Sequence, residues 1–296
     1  MGHLLQRAAV LLFLCFTLTA PALAADEAAS RAAWDAAAKA SVNGPTDVPF
    51  DDQAVLGLPS GMAYIPVREA TALMKLWGNS VGSQFRGLIV SRKDTEQWVI
   101  SIDQTADGYV KDDEARDWNA DELLQSLKDG TEAQNPERMK AGLPALDVVG
   151  WVEPPNYDAA NHRLVWSLKA VHRDAAADAE ATVNYNTYAL GRDGYYEINL
   201  MTGANTVEQE KPMARGILSA FKYKTGKRYE DFKPETDHLA EYGIAALIGG
   251  VVAKKIGLLA LAGVFFAKFA KIILIGGAVA GGAVLKMFRR NKTPAA

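Results

Sequence analysis

The feature that most constrains how this chain can fold is a long apolar stretch near its C-terminus. Between Ile244 and Leu285 every residue is apolar or small except the lysines at positions 254, 255, 268 and 271. Within this stretch, Phe269–Phe288 is about 20 residues long, the length that a helix needs to cross the hydrocarbon core of a bilayer. The sequence therefore predicts an apolar membrane region over residues 244–288, with its main transmembrane helix at 269–288.

The part of this region that precedes the main span has more than one interpretation. A second span would make a helical hairpin, but it would place Lys254 and Lys255 in mid-membrane, which costs a few kcal/mol for each lysine. An interfacial or glycine-rich helix leading into a single span is favoured, and a soluble apolar helix is the third alternative. Inside the span, Gly277 and Gly281 form a GxxxG pattern. Such a pattern allows self-association through the membrane, although small residues can also simply tolerate lipid.

The N-terminus has the layout of a secretory signal peptide. The segment "MGHLLQRAAVLLFLCFTLTAPALA" contains a basic residue, an apolar run from Ala8 to Leu18 and the small-residue motif Ala22-Leu23-Ala24. We predict a signal peptide over residues 1–24. An uncleaved N-terminal anchor is the alternative. The only cysteine, Cys15, lies in this segment, so the exported part has neither disulfides nor thiolate metal sites.

Charge indicates both the orientation and the class of partner. Arg289, Arg290 and Lys292 follow the predicted span, which places residues 289–296 in the cytoplasm. The chain contains 35 acidic residues, but none follows Lys254, so the exported part is acidic. An acidic domain is a poor partner for nucleic acid. We predict a bacterial inner-membrane protein with a periplasmic domain, whose partners are the membrane and other envelope proteins.

The exported domain, residues 25–240, alternates strand-like and helical patterns. Helical patterns cover residues 26–40, "REATALMKLWG" and the segment that begins "NADELLQSLK". The strand-like runs come in pairs with turn residues between them: "FRGLIVS" with "EQWVISID", "ALDVVGWVEP" with "HRLVWSLKAVH", and "TVNYNTYALG" with "GYYEINLM". Strands that arrive as hairpins favour an antiparallel sheet, so the predicted class is α+β, with helices packed on the sheet and a transmembrane helix at the C-terminus.

Several of these segments resemble a known family. They are "GYVKDDEA", "ADELLQSLK", the block from Asn135 to Ala170 that contains "GWVEPPNYD" and "LVW", and "VNYNTYALGRDGYYEINL". They are similar to the signature of a bacterial membrane-anchored family defined only by a domain of unknown function, over about residues 50–285. The resemblance implies a secreted domain with a C-terminal membrane segment, and it implies no activity.

The stretch "DQTADGYVKDDEA" matches the spacing of a calcium-binding loop. Gly108 would occupy the turn position, and the ligands would be Asp103, Thr105, Asp107 and Glu114. A helix normally enters such a loop, whereas "EQWVISI" is rich in β-branched and aromatic residues and predicts a strand. The favoured interpretation is an acidic turn with Gly108 at positive φ. Apart from calcium, no cofactor is predicted.

Catalytic candidates are few. Glu153 and Asp158 flank Pro154-Pro155 and could form the carboxylate pair of a hydrolase or sugar-binding enzyme, with His162 as a general base. Two prolines in a hairpin loop are also a common way to stiffen it.

Binding candidates are mostly aromatic. Strand alternation sends some aromatic side chains to the core, and the remainder would form a contact surface near Arg192 with Trp151, Tyr157 and Trp166. Because no nucleophile or metal motif is present, we predict a non-enzymatic binding or scaffold role in the periplasm. The alternatives are a carboxylate-based envelope hydrolase or sugar-binding enzyme, and a calcium-stabilised module.

Overall fold

The computed structural model describes residues 20–77, 79, 81–93, 95–140, 144–174 and 181–248. These residues contain four α-helices: α1 (Ala20–Ala40), α2 (Val67–Leu76), α3 (Ala120–Lys140) and α4 (Val207–Ala220). Short 3₁₀ helices lie at Asp113–Arg116, Tyr229–Asp231 and Ile244–Ile248.

Thirteen strands lie between and around these helices in the described residues. They are β1 (Val42–Asn43), β2 (Thr46–Phe50), β3 (Ala54–Leu58), β4 (Met62–Pro66), β5 (Phe85–Ser91), β6 (Val99–Thr105), β7 (Tyr109–Lys111), β8 (Leu146–Asp158), β9 (Arg163–His172), β10 (Thr182–Gly191), β11 (Gly194–Gly203), β12 (Phe221–Tyr223) and β13 (Leu239–Gly243).

The strands form one large and two small sheets. Eight strands make an antiparallel sheet in the order β1-β4-β5-β6-β11-β10-β9-β8. A three-stranded sheet has the order β12-β3-β2, and β13 pairs with β7 in parallel. The predicted α+β class with a large antiparallel sheet and packed helices is confirmed.

The hairpin of β10 and β11 lies at the centre of the large sheet and follows from its turn. Gly191 pairs with Gly194 across the turn, and Gly194 has a φ of 146°, which a residue with a side chain rarely adopts. From this turn the register runs without a break to Thr182 opposite Gly203. Because successive side chains alternate between faces, this register fixes which residues of β11 point to each side of the sheet.

The two faces of the large sheet bury different partners. We call the face that is covered by the three-stranded sheet and α4 the outer face, and the opposite one the inner face. The cluster on the outer face includes Ile100, Tyr196 and Ile198. On the inner face, α1 and α2 cover one cluster around Ile65 and Leu88. A second inner cluster joins residues of the sheet to α3 and to the 3₁₀ helix at Ile244–Ile248. It includes Leu123, Leu164, Trp166, Tyr188, Tyr195, Ile244 and Leu247.

The strand β8 is longer than the sequence indicated. We expected the chain to leave the sheet at Pro154-Pro155 and form a long hairpin loop, but β8 continues to Asp158 and the turn comes after it. Proline is tolerated there because β8 is the outermost strand of the sheet and has a neighbour on one side only. Register shifts at three places along β8 accommodate the irregular backbone.

The folded region also extends further than the predicted boundary at residue 240. Ile244, Leu247 and Ile248 are 0% exposed and pack in the second inner cluster. The first residues of the predicted membrane region, 244–288, are therefore part of the folded core.

Membrane crossing concerns mostly residues that the structure does not describe. None of the described helices is both long enough and apolar enough to cross a bilayer. The predicted span at 269–288, the glycines at 277 and 281 within it, and residues 1–19 of the predicted signal peptide lie outside the described residues.

Candidate functional site

The calcium-like stretch folds as two strands joined by a tight turn. Asp103 and Thr105 belong to β6, so a strand enters the stretch, where a calcium loop would have a helix. Gly108 has a φ of 104°, as predicted for the turn interpretation, and a Cβ there would lie 2.7 Å from the carbonyl oxygen of His238. The glycine is therefore required both by the turn and by the chain that passes over it.

Two acidic residues further along this stretch, Asp107 and Glu114, contact the chain at residues 242–245. The hydroxyl of Tyr242 donates a hydrogen bond to Asp107 Oδ2 (3.0 Å), and the backbone amide of Ala245 donates one to Glu114 Oε2 (3.3 Å). No group of three or more His, Cys, Asp or Glu side chains in the described residues is arranged to hold a metal ion. The structure does not gather the four predicted calcium ligands around one point.

Glu153 is held on the outer face by α4. It forms an ion pair with Arg215, and its Oε2 accepts a hydrogen bond from the hydroxyl of Tyr185 (2.9 Å). Lys211 Nζ lies 3.7 Å from the same oxygen. Arg215 Nε also donates to the hydroxyl of Tyr185 (2.8 Å), and burial raises the pKa of that hydroxyl. This carboxylate therefore has two cationic partners, both on α4.

Asp158 has a separate role in the turn between β8 and β9. Its carboxylate accepts hydrogen bonds from the backbone amide of Ala160 and from the side chain of Asn161, and the bond from Asn161 is the main cause of its lowered pKa. Glu153 pairs with Ser167 of β9, whereas Asp158 pairs with Arg163. Positions four residues apart on a strand are about 13 Å apart. The two carboxylates that were predicted as a catalytic pair thus lie at separate positions along the sheet, and each is bonded to its own partners.

His162 lies in a small polar cluster with Tyr157 and Asp112. The hydroxyl of Tyr157 donates to Asp112 Oδ2 (2.7 Å) and lies 3.1 Å from His162 Nδ1. Burial, followed by the hydrogen bond to Asp112, raises the pKa of Tyr157. The imidazole stacks on the ring of Tyr229 with centroids 4.0 Å apart, and Tyr109 stacks on the other side of Tyr229 at 4.3 Å. The histidine predicted as a general base is therefore half-buried at one end of an aromatic stack.

Two of the remaining predicted binding residues, Trp166 and Arg192, bond to residues near the C-terminal end of the described chain, and Trp151 packs against Trp166. Trp166 is buried, and its indole nitrogen donates to the carbonyl oxygen of Leu247 (3.1 Å). Arg192 forms two hydrogen bonds with the carboxylate of Asp237, at 2.6 and 2.7 Å, and these bonds lower the pKa of Asp237. Trp151 packs edge-on against Trp166 and donates to the carbonyl oxygen of Ala120 (3.1 Å).

We call residues 229–248 the C-terminal junction. Most of the residues that the sequence singled out either contact the junction or lie beside residues that do. The junction pairs with β7 through β13, contributes Tyr229 to the aromatic stack and bonds through Asp237 to Arg192 in the turn between β10 and β11. Sequence reasoning missed the partners within the junction, above all Tyr229 and Asp237. The tyrosines at 229 and 242 were a signal, because tyrosine in a polar connecting segment often packs its ring and donates its hydroxyl.

A second group that sequence reasoning missed lies on β6 and β11. Glu197 is 6% exposed and Asn199 is 1% exposed, and both point to the inner face between its two apolar clusters. The signal in the sequence was the acidic Glu197 inside the otherwise apolar and aromatic run "GYYEINLM". A buried acid in such a run marks a special environment.

Comparison with known proteins identifies the family. A family model described as "Protein of unknown function (DUF2167)" matches residues 42–278. The chain belongs to this family. The match covers all eight strands of the large sheet and continues past the C-terminal junction. No curated protein matches the DUF2167 chain in sequence.

Solved structures show only distant similarity. The cyanobacterial PsbP protein (CyanoP) of Synechocystis sp. PCC 6803 is 8% identical, with a TM-score of 0.35, over 62% of this chain and 91% of that one. The Ran-binding protein Mog1p of Saccharomyces cerevisiae is 11% identical, with a TM-score of 0.30, over 60% and 94%. A protein of unknown function from Pseudomonas aeruginosa is 11% identical, with a TM-score of 0.22, over 58% and 92%. All three scores are below 0.5 and carry no argument about function.

Proposed function

We propose that this DUF2167 protein is a membrane-held envelope protein whose folded domain lies in the bacterial periplasm and acts by binding other envelope proteins. The observation that carries the proposal is the C-terminal junction. It is bonded to the sheet through Trp166, Arg192 and Tyr229, and it ends in residues that are fully buried. In the sequence the apolar stretch continues from there to Leu285. The apolar stretch therefore starts inside the folded core, so the membrane region would hold the domain close to the bilayer.

The roles found for the predicted catalytic residues support a binding function. Glu153 is held in ion pairs, Asp158 in a turn and His162 in an aromatic stack. Each side chain has a structural partner that accounts for its position. The proposal therefore assigns them to stability and gives none of them a chemical step.

The outer edge of β8 is the surface that we assign to the partner. It is an end of the large sheet, and Val149 is 53% exposed there. Pro154 and Pro155 lack amide hydrogens, and the register shifts distort the backbone, so this edge is protected against the addition of another strand. Recognition would therefore use side chains such as Val149 and Asn156.

Membrane attachment is tested with the full-length chain in bacterial membranes. The wild-type protein should stay in the membrane after carbonate extraction, and external protease should digest the domain in spheroplasts but not in intact cells. A matched variant with Ile275→Arg and Val279→Arg places two charges in the predicted span and should be released, because each charge costs a few kcal/mol in a bilayer. Release of the wild-type protein by carbonate, or protection of its domain in spheroplasts, would reject the proposed location.

The binding role is tested separately by photo-crosslinking in living cells. A photoreactive amino acid at Val149 or Asn156 should give a discrete adduct with another envelope protein. The control position is Leu76, which is 43% exposed at the end of α2, away from β8. Adducts of equal yield at all three positions, or none on β8, would reject this edge as the contact surface.

A further inference from the structure

Four oxygen-bearing side chains form a rectangle on the inner face of the large sheet. Alternation places Ser101 and Asp103 of β6 on one face, together with Glu197 and Asn199 of β11. The register pairs Asp103 with Glu197 and Ser101 with Asn199. Paired side chains of adjacent strands begin about 5 Å apart, and the two pairs are about 7 Å apart along the strands. We call these four residues the β6–β11 rectangle.

Two corners of the rectangle are buried without a hydrogen-bond partner in the part of the chain that the structure describes. Asn199 is 1% exposed, and neither its Oδ1 nor its Nδ2 is bonded. Ser101 is also 1% exposed, and its hydroxyl is not bonded. Buried polar atoms in proteins nearly always have a partner, so these two side chains indicate that a group outside the described residues completes their bonding.

The other two corners are carboxyl groups that oppose each other. Glu197 is buried, and its polar contact is a long hydrogen bond, 3.4 Å, from the hydroxyl of Tyr188. Burial and the charge of Asp103 raise the pKa of Glu197, and burial raises the pKa of Asp103 to about 6. The positive charge of Arg86 lowers the pKa of Asp103 in part, but its guanidinium donates hydrogen bonds to Gln104 and to the carbonyl oxygen of Ser83. Two adjacent negative charges thus need a positive partner, or one of them must take up a proton.

We propose that the β6–β11 rectangle binds a hard divalent cation of the calcium or magnesium class, with oxygen ligands from Asp103, Glu197, Asn199 and Ser101. Carboxylate and amide oxygens are the ligands that these ions prefer, and water completes their coordination. The cation compensates both carboxylates and supplies a partner to the amide oxygen of Asn199 and the hydroxyl of Ser101. Tyr188, Leu164 and the neighbouring apolar residues keep bulk water away from the site.

This site differs from the calcium loop that the sequence suggested. The two share only Asp103. The loop would use Asp107 and Glu114, which bond to Tyr242 and to the backbone of Ala245. In the rectangle Ser101 comes from β6 itself, and Glu197 and Asn199 come from β11, which follows β6 by about 90 residues in the sequence. Separate substitutions can therefore distinguish the two sites.

The experiment uses the purified full-length chain in detergent, stripped of metal with chelator near neutral pH. Calorimetric titration with CaCl₂ and with MgCl₂ should show one saturable site, and the saturating ion should raise the Tm. Tb³⁺ provides a second readout, because Tyr188 beside Glu197 can sensitise its luminescence. Binding should tighten as pH rises, since the carboxyl groups must lose their protons.

Four variants decide where the ion binds. Glu197→Gln and Asn199→Leu should each weaken binding at least about tenfold, because the first removes a negative charge from the site and the second removes an oxygen ligand. The matched controls Asp107→Asn and Glu114→Gln should bind like the wild type. Absence of binding by the wild-type protein overturns the proposal, and the two carboxyl groups then share a proton instead. Loss of binding in the control variants with retention in Glu197→Gln assigns the ion to the loop and also overturns it. If a rectangle variant fails to fold, the wild-type titration and the two controls still decide between these outcomes.

Discussion

The C-terminal junction and the β6–β11 rectangle lie on the same face of one sheet, yet their polar groups are satisfied in opposite ways. In the junction the chain supplies both partners of each bond: Trp166 donates to Leu247, and Tyr229 donates to the carbonyl oxygen of Val110. In the rectangle Ser101 and Asn199 have no partner among the residues that the structure describes. The difference teaches that a buried polar group can serve two purposes. Where partners are complete, it fixes one part of the chain to another, and in the rectangle, where the described residues supply none, it is the basis on which we propose a cation.

The largest expected effect comes from removing the main contact of the junction. Trp166→Ala should destabilise the protein by about 3–5 kcal/mol, because it leaves a cavity and unpairs the carbonyl oxygen of Leu247. Trp98→Ala is the matched control, since Trp98 is equally buried but lies on the outer face. Urea denaturation should show similar losses. Only Trp166→Ala should accelerate chymotrypsin cleavage after Tyr242, and equal cleavage in both variants would contradict the role of Trp166 in the junction.

The second-largest effect is expected in how stability depends on pH, through the two carboxyl groups of the rectangle, when chelator keeps the site free of metal. The folded-state pKa of Asp103 is about 6 and that of Glu197 is raised well above its usual value, while unfolded carboxyl groups titrate near about 4. The folded state then binds more protons than the unfolded state, so these groups lower the stability as pH rises from about 4 to about 6.

Glu197→Gln removes one of these charges and relieves the other. Relative to the wild type, this variant should gain free energy of unfolding as pH rises above about 4, because glutamine has no charged form that is costly to bury. Urea denaturation at a series of pH values measures the gain. A difference between variant and wild type that stays constant with pH would show that folding does not raise the pKa of Glu197.

A smaller effect is expected at the polar cluster beside the junction. Tyr157→Phe removes the hydroxyl that donates to Asp112 and should cost about 1–2 kcal/mol, because a hydrogen bond to a charged group contributes more than a neutral one. The control is Tyr223→Phe, which removes a hydrogen bond to the neutral carbonyl oxygen of Ala189 and should cost about 1 kcal/mol or less. Chemical denaturation of both variants makes the comparison. A larger loss in Tyr223→Phe would be inconsistent with a charge-assisted bond at Tyr157.

The smallest effect is expected for Arg192→Lys, which keeps the charge but loses the two-point contact with Asp237. The lowered pKa of Asp237 means that this carboxylate contributes stability above its unfolded pKa and that the contribution is lost as pH falls below about 4. The variant should therefore resemble the wild type most closely in acid and differ most near neutral pH. A Tm difference that grows as pH falls would contradict this sign.

The sequence was a good guide wherever a local pattern determined the structure. The paired strand runs, the helix that begins near Asn119 and the turn at Gly191–Gly194 could all be recognised, because periodicity and turn residues act over a few positions. The same locality explains the error at Pro154-Pro155. Proline is incompatible with a central strand but not with the outermost one, and strand order cannot be read from neighbouring residues.

What the sequence by itself determined is the α+β class, the pairing of consecutive strands and the apolar stretch that begins at Ile244. Only the tertiary structure decided which side chains meet. Glu153 faces Arg215, Trp166 meets Leu247, and Asp103 lies opposite Glu197, in each case across tens of residues of chain. The physical reason is that hydrogen bonds and charges act over a few ångströms in space. The sequence shows which residue types are available for such contacts, and the sheet register decides which of them come within range.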